Sequence, residues 1–393
     1  MIRKFRVVRW AVVGLLAAVL FPMTTFAQEI QSLEHDTSEG TQNALIQVDA
    51  DTYLLAYSGA GIDGYVKTFT ISADGNTIAE VQSRQETGGF GFFNAWARVD
   101  ADTFALAYAG PGNDGFIKTF TIPADGSTIT AVQSLEHEGI QSNHNALIQV
   151  DADTYALAYS GNAGTGIIKT FTISADGSTI TEVQSIVHDG NIVIFNSWAK
   201  LDADTFVLAY AGGANDGYIK TFNISSDGNT ITEVQSIEHD TVNGQYNSLV
   251  QVDADTFALA YSGADGDGFI KTFTISSDGS SITEVQSLEH DPVMGQYNSL
   301  VQVDADTYAL TYSGADGDGF IKTFTISSDG NTITEIESIE HDAINGQNNS
   351  LIQVDADTYA LAYAGADSDG FIKTFMISPS GSLPVTLLGF GVE

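Results

Sequence analysis

Apolar and polar residues alternate along this chain in short bursts, and the bursts recur. In residues 257–262 (F-A-L-A-Y-S) large and small side chains alternate at period two, as in a strand. Residues 248–252 are short and apolar. Residues 269–275 are rich in aromatic and β-branched types, and residues 282–290 are the most polar run of the four. Turn signals separate them: Asp253-Ala254-Asp255-Thr256, then residues 263–268, then Ser277-Asp278-Gly279. Asp-Gly accepts the positive φ of a tight hairpin, so a two-residue turn is expected there. No stretch keeps a helical period. The pattern predicts four antiparallel strands in about fifty residues.

That unit repeats. A D-A-D-T turn begins at Asp49, Asp100, Asp151, Asp202, Asp253, Asp304 and Asp355, always 51 residues apart. A lysine in K-T-F keeps the same step at Lys67, Lys118, Lys169, Lys220, Lys271, Lys322 and Lys373, and so does an asparagine at Asn43, Asn94, Asn145, Asn196, Asn247, Asn298 and Asn349. Radial repetition of four-stranded units predicts an all-β, seven-bladed β-propeller. A linear solenoid is the alternative, but it needs caps and none is visible. Residues 29–36 (E-I-Q-S-L-E-H-D) match the end of a fourth strand, such as residues 284–291. The seventh unit leaves the pattern after its third strand, so the N-terminal segment is expected to complete blade seven and remove the open edge. This interlock resembles the closure of WD40-type propellers.

The ends lie outside the repeat. Residues 1–27 combine Arg3, Lys4, Arg6 and Arg9, a short apolar run and Thr25-Phe26-Ala27, the layout of a secretory signal peptide cut before Gln28. Residues 28–382 form the propeller. The tail, residues 383–393 (L-P-V-T-L-L-G-F-G-V-E), resembles the segment that precedes the C-terminal sorting domain of Bacteroidetes-type type IX secretion. The expected location is outside the cell or at its surface, with the periplasm as an alternative. Without cysteine there are no disulfides, and stability must come from packing and ring closure. A net charge of −36 repels nucleic acid and anionic membranes, which need clustered cations.

Most periodic polar residues read as scaffold. The lysines are expected to pair diagonally with Glu80, Glu182, Glu233, Glu284 and Glu335, while Lys118 faces Ala131. A histidine precedes an acid at His35, His137, His188, His239, His290 and His341, with Glu86 in its place once. By resemblance to WD40 blades these histidines would bond Asp63, Asp114, Asp216, Asp267, Asp318 and Asp369. The loops holding Asp265 and Asp267, Asp316 and Asp318, and Asp367 and Asp369 resemble calcium loops, and faintly those of FG-GAP propellers. They lack the further ligands and the closing Glu of an EF-hand, so Ca²⁺ is the one candidate cofactor and no other is implied.

The repeat is broken most sharply in blades two and four. There N-[AS]-L becomes Asn94-Ala95-Trp96-Ala97-Arg98 and Asn196-Ser197-Trp198-Ala199-Lys200, after apolar loops with Phe90, Phe92 and Phe93, or Ile192, Val193, Ile194 and Phe195. Blade three places His144 beside Asn145. If Trp96, Trp198, Arg98, Lys200, His144 and the three asparagines share one side of the channel mouth, the tryptophans would stack on a sugar and the cations hold an anion. The competing reading is volume compensation in the core, with Ala following Trp where other blades carry Ile or Val. No catalytic signature appears: G-x-S-x-G, H-E-x-x-H and a cysteine nucleophile are all missing. The expected function is a secreted, non-enzymatic binding or adhesion propeller for extracellular glycan or protein. The alternatives are a polysaccharide lyase or hydrolase on the same scaffold and a calcium-stiffened surface element.

Overall fold

The computed structural model describes residues 27–87 and 91–378. The expected cut site lies at the border of the described residues, while Phe90 and the 383–393 tail lie outside them. Seven four-stranded antiparallel sheets are present, and the first strands of neighbouring sheets touch around the ring. The chain forms the seven-bladed propeller that the repeat predicts. Blade five contains Gln245–Gln251, Thr256–Ser262, Gly268–Ile275 and Ile282–Asp291. Blade seven contains Gln347–Gln353, Thr358–Ala364 and Gly370–Ile377, and its outer strand is Ala27–Asp36 from the other end of the chain. Among the described residues no helix is long and apolar enough to cross a membrane.

Each blade is sandwiched, so its second strand is buried on both faces. All seven residues of Thr256–Ser262 are buried. Each apolar cluster draws on two adjacent blades. Val207, Ala209 and Ile219 of blade four pack on Phe257, Leu259, Tyr261 and Phe273 of blade five. Burying one such ring or aliphatic chain is worth about 1.5–3 kcal/mol.

Two sequence expectations change. The hairpin between strands three and four is longer than two residues: Ser276 N–H bonds Ser281 C=O at 3.0 Å, and Gly279 N–H bonds Ser276 C=O at 2.7 Å. Gly279 sits at φ +72°, and a Cβ there would lie 3.1 Å from Thr205. Its carbonyl accepts the Thr221 hydroxyl of blade four at 2.7 Å, so the turn is shaped by the neighbouring blade as well as by its own Asp-Gly.

The histidines also differ from the WD40-like network. Their ring nitrogens have no hydrogen-bond partner among the described residues. His239 of blade four lies edge-on to Tyr261 and Phe273 of blade five, with centroids 4.9 and 5.9 Å away. The acid after each histidine takes the next blade's tyrosine instead: the Tyr261 hydroxyl donates to Asp240 at 2.9 Å, and Tyr57 to Asp36 likewise. Burial, reinforced by the nearby lysine, lowers the pKa of His35, His137, His188, His239, His290 and His341 to about 3.

The lysines do more than the expected cross-strand pairing. Six pair with the predicted glutamate, or with Glu29 in blade seven, at 2.9–3.1 Å. The same Nζ also donates across the blade boundary to the preceding histidine's carbonyl, as Lys220 does to His188 at 2.7 Å. Lys118 breaks the rule twice over. Its own blade has Ala131, opposite Phe120, where the others carry the glutamate, and the preceding blade has Glu86 where histidine would stand. The Glu86 carboxylate bonds Lys118 directly and is also held by Arg84. The carboxylate missing inside blade two is thus supplied by blade one. Glu86→Ala should cost about 2 kcal/mol, because a largely buried ammonium loses its only carboxylate partner among the described residues. Adding Ala131→Glu should recover most of that loss. Denaturant unfolding of the single and double variants measures both, and a double variant no more stable than Glu86→Ala would refute the compensation.

Candidate functional site

The chain enters each first strand through a bulge, and the bulge builds the site. In blade one Thr41 pairs with Ser58, but the next pair is Ala44 with Ala56, leaving Gln42 and Asn43 opposite Tyr57. The same irregularity recurs in every blade. It puts the residue before each periodic asparagine into the left-handed region: Gln42, Phe93, His144, Phe195, Tyr246, Tyr297 and Asn348 have φ of 53–58°. Glycine suits that conformation, and other residue types lose roughly 1–2 kcal/mol in it. None of the seven is glycine.

These seven residues and the seven asparagines line a cavity of about 260 Å³ on the channel axis. The asparagines hold the collar in place. Six donate from Nδ2 to the carbonyl of the collar residue one blade back, at 2.9–3.3 Å. Asn94, for example, bonds the Gln42 carbonyl and also its own loop at Gly91. Asn145 is tied to Ser142 through both ends of its amide. Asn94, Asn145 and Asn196 therefore reach the cavity wall, with their amide donors engaged by backbone or loop.

Five collar rings form a continuous arc. Phe93, His144, Phe195, Tyr246 and Tyr297 follow one another with centroids 4.3, 4.6, 4.2 and 4.7 Å apart and planes inclined by 36–62°. Rings lying side by side with their faces to the axis would need at least about 6 Å between centroids. The observed spacing turns the faces towards neighbouring rings and the edges towards the cavity. Amides complete the circle: Gln42 Nε2 donates to Asn348 Oδ1 at 3.2 Å, and Gln42 Oε1 accepts the Phe93 N–H at 3.2 Å. The described lining holds no carboxylate, lysine or arginine.

The other sequence candidates lie elsewhere. Trp96 pairs with Leu106 and packs on the blade one–two interface beside Phe120, its Nε1 donating to Ala44 C=O at 3.1 Å. Trp198 packs likewise between blades three and four, near Phe206 and Phe222. The following alanines do not make room for these rings. Strand alternation places Ala97 in the blade two–three interface, on the other face from Trp96. Arg98 and Lys200 leave from the far end of strand one, about 15 Å from the collar. Arg98 covers the Phe104 ring and donates to the carbonyls of Gln47, Val48 and Ala101, and Lys200 covers Phe206 and donates to Val150. The structure thus brings together His144, Asn94, Asn145 and Asn196, and separates them from both tryptophans and both cations. Gln42, Tyr246, Tyr297 and Asn348 are collar members that the sequence reading passed over. The signal was present: the position before each asparagine varies, while the asparagine and the Ala or Ser after it repeat.

In the acidic loops, Asp265, Asp316 and Asp367 stand at φ 55–59° inside single 3₁₀ turns, each turn closed by a backbone bond such as Asp267 N–H to Ala264 C=O at 3.1 Å. Among the described residues no three histidine or acidic side chains gather in reach of one metal ion.

No protein-family model matches the chain, and no curated protein matches it. Solved structures do. A putative 6-phosphogluconolactonase from Bacteroides fragilis superimposes with a TM-score of 0.59 at 15% identity, over 77% of this chain and 84% of that one. A periplasmic gluconolactonase from Pseudomonas aeruginosa gives 0.59 at 12%, over 84% and 97%. Saccharomyces cerevisiae Sqt1 gives 0.57 at 9%, over 89% and 99%. Identities this low establish a shared propeller fold and nothing about ligands.

Burial lowers the His144 pKa to about 4 from its ordinary 6.5, so the ring is neutral in the collar at physiological pH. Below pH 6.5 the unfolded chain takes up a proton that the folded chain refuses until about pH 4. The stability that depends on this neutral ring is complete above 6.5 and is lost as the pH falls. His144→Phe should therefore lose less stability than the wild type between neutral pH and pH about 4. Denaturant midpoints across that window measure this, and parallel curves would refute it.

Proposed function

We propose that the chain is an exported, non-catalytic binding propeller whose axial collar receives an extracellular protein partner. One observation carries this reading: seven non-glycine residues in a left-handed conformation around one cavity, where glycine would relieve strain. Backbone strain that recurs at a cavity wall is characteristic of binding sites. The side chains held there vary although the asparagine that follows each of them does not, as expected where the residue meets a ligand.

The ring geometry favours protein over glycan. Sugars stack on exposed aromatic faces, and these rings present edges. A slim, neutral, apolar segment of a partner would fit against the edges and bond its carbonyls at the Gln42–Asn348 amides. Two of the matched structures are described as lactonases; the described lining here holds one histidine and two tyrosines and no carboxylate or amine.

Phe195→Gly and Tyr246→Gly separate function from folding. Each loses ring stacking of about 0.5–1.5 kcal/mol and the burial of a half-buried ring but gains about 1–2 kcal/mol of backbone relief, so the net loss should stay below about 2 kcal/mol. Truncating an ordinary buried phenylalanine costs about 3–5 kcal/mol. Against a displayed peptide library and a glycan array, the wild type should select peptides. Either glycine variant should weaken that binding at least about tenfold, while Trp96→Phe leaves it intact. Peptide binding indifferent to both glycine variants would discard the site, and binding to glycans alone would discard the partner class.

A further inference from the structure

The joint between blades six and seven carries a residue that departs from the other six joints. Six fourth strands hold a glutamine at one position: Gln31, Gln82, Gln133, Gln184, Gln235 and Gln286. Blade six has Glu337 there. In four of them the side chain spans to the next blade. Gln235 Nε2 donates to Ser280 C=O at 3.2 Å, and Gln31, Gln184 and Gln286 reach Asn76, Asn229 and Asn331 in the same way. Each accepting carbonyl lies two residues before the isoleucine that opens the neighbour's fourth strand, as Ser280 precedes Ile282.

At the last joint that isoleucine is replaced by Ala27, which pairs with Ile377 as Ile333 pairs with Ile326. The carbonyl two residues earlier would belong to Thr25. A carboxylate has no proton to give a carbonyl and repels it. Glu337 turns instead to the Ala27 nitrogen, whose N–H it accepts at 2.7 Å. A glutamine could also accept that bond by turning its amide over. A carboxylate accepts it more strongly, and most strongly where the donor carries a charge.

We infer that the chain is cut beside Ala27 and that Glu337 holds the α-ammonium so created, locking the closing strand onto blade six. A leader peptidase would add water across the Phe26–Ala27 or the Ala27–Gln28 amide. The acyl carbon leaves as a carboxylate, and the released nitrogen becomes an amine and takes up a proton. Cleavage at the second bond moves the ammonium only one residue, about 3.5 Å, along the strand, within the swing of a glutamate side chain. Thr25 and its carbonyl depart in either case. This inference is independent of what the collar binds.

The test uses the full chain, produced in bacteria able to export it. Mass spectrometry of the exported protein should find Ala27 or Gln28 as the first residue. A protein retaining Thr25, or one whose first residue is cyclised and uncharged, would overturn the inference. The α-amine should then react with an acylating reagent about fivefold or more slowly in the wild type than in Glu337→Gln, because ion pairing withholds its lone pair. Equal labelling rates would overturn the assignment of Glu337 even if the cut is found.

Discussion

A lysine ammonium reaching across a blade boundary to a backbone carbonyl is the joint on which this ring depends. The lysine lies in the third strand, where its ammonium is nearly buried, and its charge is matched by a glutamate of its own blade. The partially exposed glutamate contributes little by itself, about 0.2–1 kcal/mol. The carbonyl bond matters more, because a buried ammonium must have its donors satisfied. Six such joints, and a seventh in which the Glu86 carboxylate takes Lys118, close a ring that cannot be altered one side at a time. The blade one–two joint shows this: the carboxylate lost at Ala131 returns at Glu86, from the opposite blade.

Much of this architecture is legible in the sequence because it is set by local pattern. Period-two alternation marks the strands, Asp and Gly mark the turns, and the 51-residue step sets the blade count. The phase of residues 29–36 shows how the ring closes. The Lys–Glu pairs follow from strand register, even though the hairpin is longer than the two residues assumed, since Lys271 still meets Glu284 at 3.1 Å. The WD40-like histidine network was misjudged because resemblance fixed the residue type and not its surroundings. Here the ring packs against tyrosine and phenylalanine, and the adjacent acid takes the tyrosine hydroxyl.

The collar was only half legible, for a physical reason. Phe93, His144 and Phe195 drew attention because their blades depart from the repeat. Tyr246 and Tyr297 lie in blades that otherwise conform, and what unites all seven positions is a backbone conformation that sequence does not spell out. Trp96 was grouped with Ala97 by nearness along the chain, and His144 with Arg98 because their blades are neighbours. Strand geometry separates both groupings: adjacent residues point to opposite faces, and a first strand carries its two ends to opposite mouths of the channel.

A propeller of near-identical blades has few ways to become specific. Changes inside the blades disturb two interfaces at once, and loop tips on separate blades stand far apart. The axis is the one place where all seven blades meet. The bulge and the asparagine bond deliver one side chain from each blade to that place, and they do so whatever the side chain is, because the bond is made to its carbonyl. Identity at the collar is therefore free to vary while the scaffold stays uniform. The five rings fall on blades two to six and the two amides on blades seven and one, so the cavity has an apolar wall and a hydrogen-bonding wall. The polar wall coincides with the seam where the ends of the chain join. A ligand bound there would read the asymmetry of the closed ring, something no single blade provides.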